Sequence, residues 1–142
     1  EKAPAALARK IAMLPNEGGE IEVWGDGEQT RSFMFIDDCI KGTKKIFESN
    51  CREVLNIGSE EQVSINQMIK IIEEISGYNV EKNYQLDKPK GVRGRSSNND
   101  LAKKVLNWSY ELSLKDGLTK TYNWIYSELK KDKSNINPFT KS

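Results

Sequence analysis

The chain has 142 residues, 37% hydrophobic and 30% charged, a balance that suits one domain with its own core and argues against a disordered segment. Its 22 basic and 21 acidic residues leave a net charge of +1, so no global field draws nucleic acid and any anion site must be local. Histidine is absent, which removes Ser-His, Cys-His and His-ligated zinc chemistry from these residues and leaves proton transfer to Lys, Tyr, Cys, Asp or Glu.

In chain order, Pro4 near a first turn and Leu7, Ile11 and Leu14 at helical spacing predict a helix that stops at Pro15. A loop over 16–20 leads to a short strand over 21–24. The run Trp24-Gly25-Asp26-Gly27 then reads as a turn delivering Gln29 and Arg31 to a rigid strand over 32–36, although the same glycines equally suit an ordinary hairpin, the commoner outcome for such a turn. Asp37 and Asp38 fit the start of a helix with Ile40, Thr43, Ile46 and Phe47 facing in and Lys41, Lys44, Lys45 and Glu48 facing out.

Residues 53–57 read as a buried strand ending at Gly58. Ser64-x-x-Gln67 spells a capping box with Val63 and Met68 as its hydrophobic staple. Ile65, Met68, Ile72 and Ile75 line the core face of that helix, and Gly77 falls where a left-handed closing residue is wanted. A strand over 80–85 follows, then a long loop over 86–99 with four cations. Asp100 opens a short helix through Leu106, Trp108 anchors a turn, and Ser113-x-x-Asp116 caps a last helix with Leu114, Leu118, Tyr122, Ile125 and Leu129 on one face. These readings give one domain over 1–130 and a polar, flexible tail over 131–142.

Cys39 and Cys51, with no leader pattern and no membrane-length apolar run, suggest a reducing cytoplasm, no membrane and no nucleic-acid partner. Cys39 reads as packing, and Cys51 lies in a turn with no base to activate it. Tyr78-x-x-x-Lys82 has the spacing of a dehydrogenase catalytic pair, but it follows the helix-closing Gly77 and runs into a strand, so the match is coincidental. Gly91-Val92-Arg93-Gly94-Arg95 carries more chemistry: glycines let the backbone approach a ligand while guanidinium forks bind phosphate oxygens, against the plain alternative of a solvated basic turn.

Glu1-Lys2-Ala3-Pro4-Ala5-Ala6, Trp24-Gly25-Asp26-Gly27 with Gln29-Thr30-Arg31-Ser32-Phe33, Asn56-Ile57-Gly58-Ser59, and Gly91-Val92-Arg93-Gly94-Arg95 with Asn98-Asn99 together resemble the carboxy-terminal part of an extended short-chain dehydrogenase/reductase of the NAD-dependent epimerase/dehydratase family. The first and last of these segments most resemble its GDP-mannose 3,5-epimerase branch. The fold this implies is a small mixed α/β substrate-binding domain, without the amino-terminal Rossmann half.

The resemblance also implies a role for each matching residue. Lys2 would be the catalytic lysine and a substrate contact; Lys10, Gln29, Thr30, Arg31, Arg93 and Arg95 would bind a GDP-sugar. NAD would be bound by the absent Rossmann half, since no Gly-x-x-Gly-x-x-Gly turn occurs here. The intact enzyme would be a homodimer that oxidises the sugar at C4 with NAD, exchanges the acidified C3 and C5 protons and rereduces C4, while this fragment alone would be inactive. A sugar-nucleotide 4-epimerase or 4,6-dehydratase, or a free-standing non-catalytic nucleotide-sugar-binding module, fits the broader motifs as well.

Overall fold

A computed structural model describes residues 3–15, 18–89 and 91–131. Helix α1 (Ala3–Ala12) precedes strand β1 (Gly18–Trp24) and the three-residue β2 (Thr30–Ser32). Then come α2 (Ile36–Glu48), β3 (Gln62–Ser64), α3 (Ile65–Ser76), β4 (Asn79–Gln85), β5 (Gly94–Arg95), α4 (Asp100–Leu106) and α5 (Leu114–Lys131). The result is a small mixed α/β fold with two short sheets. β1 and β4 pair in parallel, and a second sheet has the order β3-β2-β5, antiparallel on one side of β2 and parallel on the other.

Periodicity decides the main core. Leu7, Ala8 and Ile11 of α1, Met68, Ile69 and Ile72 of α3, and Leu114, Leu118, Tyr122 and Ile125 of α5 are buried together with Ile21 and Val23 of β1. Each such aliphatic side chain contributes about 1.5–3 kcal/mol on leaving water. The capping box forms as spelled: Ser64 Oγ accepts from Gln67 N at 3.1 Å and Gln67 Oε1 accepts from Ser64 N at 2.8 Å. Gly77 closes α3 at φ +75°, a left-handed conformation that favours glycine. At the other end of the chain, Asp116 N donates to Ser113 Oγ at 3.2 Å at the start of α5. Residues 132–142, most of the expected tail, lie outside the described residues.

Four expectations from sequence give way. No hairpin forms at Gly25–Gly27, because β1 pairs with β4 while β2 pairs with β3 and β5, so the turn crosses between sheets. The strand expected over 32–36 ends at Ser32, the last residue for which β3 supplies a partner, and the acidic first turn of α2 begins at Ile36. Residues 53–57 have no ladder partner among the described residues and form no strand, though the alternation survives: Leu55 and Ile57 pack inward and Val54 is 94% exposed. The loop over 86–99 contains β5.

The inward face of α2 is also different. Asp38 and Gly42 are buried and Ile46 partly so, while Ile40, Thr43 and Phe47 face out. Gly42 explains the turn of the helix. A Cβ there would lie 2.9 Å from both Ile57 and Trp108, so only glycine lets α2 settle on the second cluster of Ala102, Leu106 and Trp108. Asp38 accepts from Glu111 N at 3.1 Å and Leu112 N at 3.0 Å, which fixes the chain leading to α5.

Candidate functional site

The turn after β1 is shaped by glycines at φ +81° and +76°, positions 25 and 27, and tied back by Gln29 Nε2 donating to Trp24 O at 2.9 Å. Gly25 N donates to Gln85 O at 2.9 Å, so the end of β4 holds its outer side. Downstream of this turn the chain enters β2 with Arg31 at its centre. A cavity of about 500 Å³ opens between α1, the end of β1, β2 and the start of α3, lined by Ala3, Ala6, Leu7, Lys10, Glu22, Val23, Trp24, Gln29, Arg31, Ile65 and Pro89. Apolar side chains of the core share its lining with the polar groups of Lys10, Glu22, Gln29 and Arg31, a combination that suits a ligand site.

Lys10, Gln29 and Arg31 therefore meet in one cavity. Lys10 Nζ donates to Glu22 O at 3.1 Å, which holds the ammonium at the rim of β1. The Glu22 carboxylate accepts from Trp24 Nε1 at 2.5 Å. Gln29 Oε1 is buried and accepts no hydrogen bond among the described residues, an acceptor whose desolvation is uncompensated until a donor reaches it. Arg31 Nη1 donates to Thr30 O at 2.6 Å, and Gly91, at φ +67°, passes so close that a Cβ would sit 3.2 Å from Arg31 Nη2.

Arg95 stands beside Arg31 as its Cα partner in the β2–β5 ladder, about 4.8 Å away, with side chains projecting to the same face; it is exposed and does not itself line the cavity. Among the described residues no carboxylate forms an ion pair with Arg31, Arg93 or Arg95. Thr30 is next to Arg31 in β2 and so projects to the opposite face, where its Oγ1 donates to Gln62 Oε1 at 3.3 Å; it does not line the cavity. Arg93 contributes its carbonyl, accepting from Thr30 N at 2.9 Å, and its side chain is exposed. Lys2 lies outside the described residues, although Ala3, next to it in sequence, lines the cavity.

Sequence reasoning missed what holds β5 in place. Asn99, fully buried, donates from Nδ2 to Gly58 O at 2.7 Å and accepts from Ser97 Oγ at 2.6 Å. Its backbone N–H reaches Glu60 Oε1 at 3.2 Å, and Lys103 Nζ bonds both oxygens of Glu60 at 2.9 Å. The lysine first, and then the Asn99 N–H, hold the Glu60 carboxyl below its ordinary 4.5. Asn-Ile-Gly-Ser and the Asn-Asn pair, quoted above only as motifs, are the two halves of this latch. The signal was present in Glu60 and Lys103, but nothing local says they meet.

The dinucleotide cofactor does not fit the described residues. Its pyrophosphate needs a strand that passes through a glycine-rich turn into a helix N-terminus, whereas the Gly25–Gly27 turn leads into β2 and β3 enters α3 directly through Ser64. No helix among the described residues is long and apolar enough to cross a membrane, and no group of three or more potential metal ligands occurs among them.

Residues 1–58 match the model of the NAD dependent epimerase/dehydratase family. Over 134 residues, 94% of the chain, it is 45% identical to a GDP-mannose 3,5-epimerase of Oryza sativa subsp. indica and 42% identical to that of Arabidopsis thaliana. The chain spans about a third of the length of these relatives, 34% in both cases, and matches their carboxy-terminal part. Among solved structures, a UDP-glucose 4-epimerase from Thermotoga maritima with UDP-glucose superposes with a TM-score of 0.81 at 29% identity, covering 90% of this chain and 40% of that one. A UDP-glucuronic acid 4-epimerase from Bacillus cereus with UDP-glucuronic acid and NAD gives 0.80 at 34% identity, again 90% and 40%. The chain is thus similar to the carboxy-terminal part of members of the NAD dependent epimerase/dehydratase family, whose model its residues 1–58 match.

Proposed function

We propose that residues 1–130 are the nucleotide-sugar-binding part of a GDP-mannose 3,5-epimerase, working with an amino-terminal NAD-binding half. The observation that carries this reading is the placement of Arg31 in the cavity wall with Arg95 in register beside it. Two guanidinium forks on one face match the spread oxygens of a diphosphate, and the absence of ion-pair carboxylates among the described residues leaves them available to it.

The rest of the cavity suits the remainder of such a ligand. Lys10 adds a third cation at the β1 end, Gln29 Oε1 offers an acceptor to a hydroxyl, and the Trp24 indole, half exposed at the rim, offers a flat face. The lysine at position 2 would exchange a proton with the sugar, a role taken from the resemblance and supported by the cavity-lining position of its neighbour Ala3. NAD would serve the intact enzyme as hydride acceptor and donor from its own half.

The test is turnover by the full-length protein, with NAD, of GDP-mannose against UDP-glucose and UDP-glucuronic acid, followed by proton NMR in deuterated water. Exchange of deuterium into C3 and C5 of the GDP-sugar supports the reading. Inversion at C4 of a UDP-sugar alone would move the protein to the 4-epimerase branch, and tight nucleotide-sugar binding without turnover would make it a binding module.

A further inference from the structure

The geometry points to Asn66, which touches no part of the cavity, as the residue that positions its substrate-binding wall; this rests on the nucleotide-sugar reading above. The turn that delivers Gln29 and Arg31 has two left-handed glycines, so its shape is imposed from outside. Asn66, the second residue of α3, imposes it with every polar group free to do so. Its backbone N–H donates to Gly27 O at 3.0 Å, and its Nδ2 donates to Asp26 O at 3.2 Å and to Glu28 Oε1 at 2.7 Å. Its Oδ1 accepts from Tyr84 OH at 2.9 Å, joining the clamp to β4.

The contact is close: a Cβ on Gly27 would lie 2.2 Å from Asn66 Oδ1, so position 27 accommodates the Asn66 side chain in this pose as a glycine. The helix behind the clamp is rigid: its capping box is complete, and Met68 and Ile69, two and three residues on, are fully buried. Asn66 thus transmits the fixed position of α3 through three consecutive turn residues to Gln29 and Arg31, two and four residues beyond Gly27. Cavity walls hold ligands well only when such supporting bonds hold their side chains.

The test uses the full-length protein with GDP as probe, read by calorimetry. Asn66→Asp keeps size and the acceptor for Tyr84 but loses both Nδ2 donations and sets a carboxylate against Glu28. The expected result is GDP binding weakened about 10-fold, as for loss of hydrogen bonds that include one to a charged group, with turnover at saturating substrate unchanged. Adding Glu28→Gln supplies a donor for the new carboxylate and is expected to restore affinity to within about 3-fold of the parent. A purely structural role would instead lower the melting temperature and leave the affinity of the folded protein for GDP unchanged. If Asn66→Asp binds GDP like the parent, or Glu28→Gln recovers nothing, the positioning role is overturned while the substrate reading stands; if the parent protein itself binds no GDP, both fall.

Discussion

Arg31 and Arg95 face one another as partners across a parallel ladder, two like charges on one face of a three-stranded sheet. Like charges directly opposed in a ladder are destabilising by a few tenths to about 1 kcal/mol, so the arrangement makes physical sense as a cradle waiting for an anion. The latch of Asn99, Glu60 and Lys103 keeps β5 there despite the repulsion.

That relationship sets the first prediction. A diphosphate does not change during epimerisation, so its contacts are equal in ground and transition states, and Arg95→Ala in the full-length enzyme is expected to raise KM with kcat nearly unchanged. Loss of a charge-assisted contact of about 2–3 kcal/mol corresponds to roughly 30- to 150-fold in kcat/KM. On the proton-exchanging role proposed for Lys2, Lys2→Ala is expected to lower kcat by roughly 100-fold or more at similar KM. Steady-state kinetics on GDP-mannose checks both, and an exchange of the two phenotypes would reverse the assignments.

Gly42→Ala is expected to destabilise the protein by about 1–3 kcal/mol, because the new methyl meets Ile57 and Trp108 at 2.9 Å in a packed cluster. Chemical denaturation measures it. A neutral result would mean that α2 is free to lift off.

Asp38→Ala leaves the Glu111 and Leu112 N–H groups without their acceptor and is expected to cost about 1–3 kcal/mol. Asp37→Ala, one residue away and exposed, serves as the control and is expected to change stability by less than about 0.5 kcal/mol. Thermal melts of the pair decide the matter.

The Glu60 carboxyl, held below its ordinary 4.5 by Lys103 and the Asn99 N–H, stabilises the fold when ionised. Its contribution is complete above the unfolded value and is lost as pH falls through the depressed native one. Glu60→Gln should therefore melt below the parent at neutral pH, with the two curves converging on the acid side of 4.5. Exposure of the pair keeps the difference small. Parallel melting curves at every pH would show that the latch does not depend on the charge.

What could be read from sequence was what neighbours along the chain decide. The Ser64–Gln67 box, the Gly77 closure and the apolar faces of α1, α3 and α5 follow from spacing alone. The face of α2 was read only at Ile46, which packs on the second cluster; Gly42 makes the close contact beside it, and Ile36 and Ile40 stay exposed, as does Phe47 at 90%. Residues 53–57 alternate like a strand but have no ladder partner among the described residues. At the site, residue type pointed to Lys10, Gln29 and Arg31, whereas Asn66 and Glu60 act through contacts 38 to 43 positions away, a distance over which periodicity is silent.

A crystal structure of the full-length protein with GDP-mannose decides whether Arg31, in the cavity wall, and Arg95, beside it in the ladder, hold the diphosphate of a GDP-sugar. The diphosphate is expected within hydrogen-bonding distance of both guanidinium groups, with the sugar directed along the α1 wall past Lys10. A nucleotide seated elsewhere, with Arg31 and Arg95 touching only solvent, would contradict that assignment.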